Sequence, residues 1–307
     1  DNRFTLDNSY GLPKGTMDIA EGIEVQNSGK TFAIGKVTGT GALGGLVDFG
    51  HGVSGYNTWK VGNETNYRWS GKVTGTSTAF VKIGTGKLTV GASWDNTGSV
   101  KVAEGELCLT SGNVIGTGAV VVDKDACLSG VTGTTALTNS SFTINGELVV
   151  GAFANATSGK INFGGKNVTI SSTGKYVVGK GAYSNTTIDD INTLTINGTV
   201  EVVLGSSYTP KDGDVITLWT ANQFAGTPNY VLPNLPLGMA WDMSKISEGK
   251  LTVVSDPTAI GVVPFGAKYG RNDIYDLKGQ LVRKNATSTE GLPSGVYFRN
   301  GKKIVVK

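Results

Sequence analysis

Few side chains in this sequence are of a type and spacing that does chemistry. Four aromatic residues, Tyr56, Trp59, Tyr67 and Trp69, fall in one short stretch. Exposed aromatic faces of this kind stack on sugar rings, each contact worth on the order of 1 kcal/mol. The competing reading is that Tyr67 and Trp69, two positions apart on a strand, share one face and pack inward. A serine- or cysteine-type hydrolase needs a nucleophile, a base and an orienting group. The only histidine, His51, sits in GHGVSG and reads as a loop residue. Carboxylates fall singly at corners (Glu104, Glu106, Asp123, Asp125, Glu147) and do not make the facing pair of a glycosidase. Asp123-Lys124-Asp125 is the one cluster suited to touching a cation, but the GGxGxD repeat of calcium-binding β-rolls is absent. Arginine is scarce, with Arg3 and Arg68 the only two before residue 271, which disfavours a polysaccharide lyase centre on this chain. GTGALGG and IGTGKL lack both the GxxxxGK[ST] pattern and a following helix, so neither is a phosphate loop. No catalytic residue, metal ligand or cofactor is expected.

A repeat must position these residues. VKIGTGKLTV becomes VKVAEGELCL, then VVVDKDACL, then FTINGELVV, and Leu88, Leu107, Leu128 and Leu148 fall 19, 21 and 20 residues apart. Each phrase is two short alternating strands around a Gly-containing corner, too little to bury its apolar face alone. Stacked rungs at the ~4.8 Å strand spacing share one continuous core. Val168, 20 residues after Leu148, is expected to continue the register. Val, Thr and Ile suit pleated half-buried surfaces, and Gly and Asn suit corners. The fold class is all-β: a right-handed parallel β-helix (β-solenoid) of about 20 residues per rung. A β-sandwich is the rival, since turn signals every 8–12 residues fit one too. The constant spacing favours the solenoid.

The solenoid is assigned to residues 1–255, with looser repeats at the start and an irregular loop near 50–70. Residues 206–255 hold four of the eight prolines together with Trp219 and Trp241. They read as a cap that covers the open end of the stack. Asp256-Pro257-Thr258 reads as a linker. Residues 256–307 lose the rhythm and form a small β-sandwich-like module of two hairpin-like units, with Asn300-Gly301 as a type I′ turn.

The same register bears on the two cysteines. Alternation sends Cys108 and Cys127 outward at equivalent places on adjacent rungs, with Cα atoms ~4.8 Å apart. That is inside the range of a disulfide, so a bond and a close pair both stay open. Two cysteines exclude a cysteine-built zinc site and a disulfide-dense scaffold. A net charge of +3 with scattered lysines gives no basic face for nucleic acid. No run of 18 apolar residues spans a membrane as a helix. The chain opens inside what reads as a strand, NRFTLDN, as a processed piece of a longer protein does, so the missing signal peptide says nothing about compartment.

Three stretches carry resemblances. TAFVKIGTGKLTVGASWDNTGSVKVAEGELCLTSGNVIGTGAVVVDKDACLSG is similar to the autotransporter-associated β-strand repeat, through its Gly corners, Leu88, Leu107 and GTGAVVV. YVLPNLPLGMAWDMSKISEGKLTVVS resembles the segment that closes such arrays, and DIYDLKGQLVRK with LPSGVYFRNGKKIVVK resembles the C-terminal sorting-type domain of secreted Bacteroidetes proteins. The resemblance implies a β-helical bacterial protein that is extracellular or on the cell surface, outside the outer membrane. It would be a non-catalytic stalk, spacer or adhesion region, with a polysaccharide or a host or cell-surface glycan as partner. The alternative is the C-terminal accessory region of a secreted polysaccharide-degrading enzyme, such as a pectate lyase. A third reading places activity on the solenoid itself. Fold alone does not choose among them.

Overall fold

The computed structural model describes residues 3–6, 11–45, 57–151, 158–256, 272–277, 279–299 and 302–306. The chain divides into two compact units. One comprises residues 1–209, 215–233 and 243–251; the other comprises 210–214, 234–242 and 252–307.

The first unit is a parallel β-solenoid of about eight turns. Its first sheet stacks ten strands in chain order, from Leu12–Ile19 and Thr31–Gly39 through Asn57–Val61, Thr78–Lys82, Val100–Val102, Val120–Val122 and Ser141–Ile144 to Gly159–Ile170, Thr186–Ile196 and Trp219–Ala225. Its second sheet stacks eight, from Tyr67–Trp69 and Lys87–Val90 to Thr199–Leu204 and Asn229–Val231. A shorter third side runs from Arg3–Leu6 to Lys72–Val73. It continues as backbone bonds such as Asp95 N–H to the Val73 carbonyl (3.0 Å) and the Trp94–Ile115 bridge.

The leucine register holds: Leu88 faces Leu107, Leu107 faces Leu128, and Leu128 faces Leu148. All four are fully buried. Columns of this kind make the core, because each inward position finds its counterpart directly above and below. Val168 breaks the expectation. It pairs with Phe142 on the first sheet, whereas the next residue on the leucine column is Tyr176, 28 positions after Leu148. The long strand Gly159–Ile170 carries two register shifts against its neighbour, and that coil takes more chain than the others. The expected loop near 50–70 is also shorter than read. Residues 50–56 lie outside the described part, but Asn57–Val61 is a strand of the first sheet.

Corners force the glycines. Gly84 has φ +72°, and a Cβ there would meet the Asn63 backbone at 2.6 Å. Short turns also leave carbonyls without a rung partner, and buried asparagines supply one. Asn96 Nδ2 donates to the carbonyls of Thr78 (2.9 Å) and Gly98 (3.2 Å), and Asn139 Nδ2 to those of Ile115 (3.0 Å) and Gly118 (2.9 Å).

Residues 206–255 do more than cap. Trp219–Ala225 and Asn229–Val231 add a further rung to the two main sheets. Trp219 is buried and stacks on Phe224 at 4.9 Å. The Leu218 N–H donates to the Gly249 carbonyl (2.7 Å), and Gly249 approaches Trp219 where a Cβ would clash at 2.3 Å.

In the second unit Met239–Asp242 pairs antiparallel with residues 252–255. Ile274–Tyr275, Leu281–Arg283, Gly295–Arg299 and Lys302–Val306 form one antiparallel sheet over a core of Ile274, Ala286 and Tyr297. Among the described residues this is a single sheet, simpler than the sandwich-like module expected. Pro257, Thr258, Asn300 and Gly301 lie outside the described part.

Candidate functional site

On the second sheet, alternation points every other side chain away from the core, and stacking lines these residues up in columns. One outward column runs Lys87–Glu106–Cys127–Glu147–Lys175–Thr199; beside it runs Thr89–Cys108–Ser129–Val149–Val177–Glu201. Together they line a depression of about 260 Å³ with Val149 and Val177 on its floor. A wider hollow of about 600 Å³ shares Cys127, Glu147 and Lys175 and reaches the corner Lys124-Asp125.

The charges here are held by one another. Lys175 Nζ lies 2.7 Å from Glu147 Oε1 and 3.4 Å from Glu201 Oε2. The hydrogen bond to Glu147 raises the lysine pKa, against a smaller opposing effect of burial. Ser129 Oγ donates to Glu106 Oε1. The Cys127 thiol is pushed far above its ordinary range, first by burial and then by Glu106, Glu147 and Cys108, with Lys175 pulling the other way. It stays protonated, the opposite of an activated nucleophile. The arrangement offers carboxylate acceptors at the rim of an apolar floor, which suits a hydroxyl-rich ligand with an apolar face.

Several sequence expectations change here. Trp59 and Trp69 are 0% and 1% exposed, so neither offers a face to a glycan. Each lies on an inward column, Trp59 between Phe32 and Phe80 and Trp69 beside Val90, and Trp59 Nε1 donates to the Gly44 carbonyl (2.8 Å). Tyr67 is partly buried on the leucine column, facing Leu88. Burial pushes its phenol up to about 12. Tyr56 and His51 lie outside the described residues. The corner Asp123 forms an ion pair with Lys101 (2.8 Å), and among the described residues no three potential ligands gather as a metal site.

Cys108 and Cys127 are not equivalent. Cys108 follows Leu107 and faces Ser129, while Cys127 precedes Leu128 and faces Glu106. The two cysteines are two positions out of step, so their Cα atoms are ~8 Å apart, beyond disulfide reach. Both are free thiols.

Glu106 and Glu147 were visible in the sequence only as isolated corner acids. Their shared column, and the place of Lys175 and Glu201 beside it, follow once the rungs are registered. The longer step from Leu148 to Tyr176 hid Lys175 from a strict period of 20.

The geometry defines the class: a parallel β-solenoid with a mixed-charge hollow on one outer face. No family model matches the chain, and no curated protein matches it either.

Proposed function

We propose that this chain is a non-catalytic β-solenoid stalk or spacer of a larger, secreted bacterial protein, working outside the outer membrane with a surface glycan or polysaccharide as partner. The observation that carries this reading is the unbroken ten-strand parallel sheet of the first unit. Ten strands at the strand spacing set a sheet length of ~43 Å, and each added coil extends it by ~4.8 Å. Among the described residues, Trp59 and Trp69 fill the core, and Ser129, Glu106, Glu147, Lys175 and Glu201 hold one another around the outer hollow. The resemblance to autotransporter-associated repeats supports the secreted setting.

A glycan array probed with the intact chain tests the adhesive part of the proposal, with Lys175→Ala and Glu147→Gln as controls on the outer hollow. Binding that both substitutions weaken supports it. A blank array leaves a spacer role alone. Turnover of pectin or another polysaccharide by the isolated chain overturns the non-catalytic reading.

A further inference from the structure

The two main sheets follow different registers at one coil, and the difference buries a lysine. Laying VKIGTGKL over VKVAEGEL matches Val81 with Val100 and Lys82 with Lys101, an offset of 19. The second sheet uses that offset, with Leu88 facing Leu107. The first sheet uses 20: Phe80 faces Val100, and Lys82 faces Val102. A one-residue slip turns every side chain to the opposite face. The observed pairing brings Phe80 into the core, 4.6 Å from Trp94. It also sets Val81 outward between Lys60 and Lys101. The other pairing would expose Phe80 and line up three lysines on adjacent rungs, where like charges repel. The cost falls on Lys82, which sits inward between Val61 and Val102 with 0% exposure.

An ammonium in an apolar column is tolerated only when its protons are bonded. Lys82 Nζ donates to three carbonyls: Ile83 at 2.8 Å, Gly84 at 2.7 Å and Glu104 at 3.2 Å. Two belong to its own corner and one to the corner of the next coil. Three donors meet three acceptors. The contact is reciprocal between coils, because the Gly84 N–H donates to Glu104 Oε2 at 3.1 Å. Gly62 leaves the space, since a Cβ there would lie 1.8 Å from the Ile83 carbonyl oxygen and 3.3 Å from Nζ. Backbone carbonyls converging on one point are how proteins hold small cations.

We propose that this corner is a cation site built from backbone carbonyls, that the Lys82 ammonium is its resident ion, and that its occupancy ties the corner 83–86 to the corner 103–106. Lys82 is charged at neutral pH, because burial lowers its pKa, Glu104 and Glu106 oppose that, and the balance falls at about 8.

Two substitutions test the site. Lys82→Ala empties it together with the volume of the stem, and Lys82→Met fills the volume without a donor. Amide hydrogen exchange at Gly84, Ala103 and Glu104 reports the junction, since the last two donate to the Lys82 carbonyl. Both variants are expected to exchange at least about tenfold faster there, as a lost inter-coil tie requires. Butylammonium chloride should restore protection to Lys82→Ala, where an equal concentration of sodium chloride does not, and should leave Lys82→Met unchanged. Wild-type protection in Lys82→Met overturns the proposal, because the corner then needs no cation. So does equal rescue by sodium chloride, or no rescue by butylammonium. If Lys82→Ala does not fold, the Lys82→Met result decides.

Discussion

Cys127 faces Glu106 across adjacent rungs, and the residue that faces Cys108 is Ser129. That pairing predicts two free thiols, and Cys127 is slow to react. Burial and the carboxylates of Glu106 and Glu147 hold its thiol well above the usual range, and only the thiolate reacts. Peptide mapping without reductant should recover no Cys108–Cys127 bond. Labelling of the folded chain by a water-soluble disulfide reagent should be much slower at Cys127 than on a free thiol. Removing both charges with Glu106→Gln and Glu147→Gln should lower its pKa and speed the labelling several-fold. A mapped bond between the two cysteines would show that the rung register is wrong.

The cysteine result shows how much of this fold the sequence carries. Leu88, Leu107, Leu128 and Leu148 are legible because an inward apolar column tolerates little else, and all four align as their spacing indicates. Cys108 and Cys127 sit on opposite sides of their leucines, so the same alignment, counted one residue at a time, already separates them. Lys82 and Val168 were not legible. Corner lengths vary from coil to coil, and a single residue more or less in a corner changes the face of the next strand. Trp59 illustrates a second limit. An aromatic beside a Gly-rich stretch has the same composition whether it stacks on a ligand or on Phe32, and only the column decides. The outer hollow was illegible because its residues, Glu106, Glu147, Lys175 and Glu201, come from four coils and meet only after stacking.

Trp59 should behave as core. Its ring meets Phe32 edge-on at 5.6 Å, and its Nε1 satisfies the Gly44 carbonyl. Trp59→Ala is expected to cost about 3–5 kcal/mol through lost burial and the cavity left behind. Trp59→Phe keeps a ring on the column and strands one buried carbonyl, a cost of about 1–3 kcal/mol. Urea unfolding with an unchanged slope measures both. A Trp59→Ala protein as stable as wild type would place the indole outside the core.

Two glycines separate backbone strain from close approach. Gly84 and Gly112 both have positive φ, +72° and +86°, but a Cβ on Gly84 meets the Asn63 backbone at 2.6 Å, whereas one on Gly112 meets nothing within 4 Å. Gly112→Ala should therefore cost only the left-handed conformation, about 1–2 kcal/mol. Gly84→Ala should cost clearly more, since the clashing atoms are backbone of the neighbouring coil and cannot swing aside. Equal midpoints for the two variants would mean that the coils are not stacked this closely at Asn63.

Alkaline stability should carry the signature of Lys82. Its folded pKa of about 8 lies below the ordinary lysine value of 10.5, so between those limits the unfolded chain binds more protons and stability rises with pH. The contribution is complete above 10.5 and is lost as pH falls through 8. Its upper bound is about 3 kcal/mol for a shift of this size. Cys127 acts in the opposite sense. Its raised pKa stabilises the fold at lower pH, and this is lost as the unfolded thiol ionises above pH ~9. Wild type and Lys82→Met share the cysteine effect, so the difference between their unfolding free energies isolates the lysine. That difference should be flat below pH 8 and should move in favour of wild type between pH 8 and 10.5. A difference that stays level, or moves toward Lys82→Met, would show that the ammonium pays no net desolvation cost in the fold.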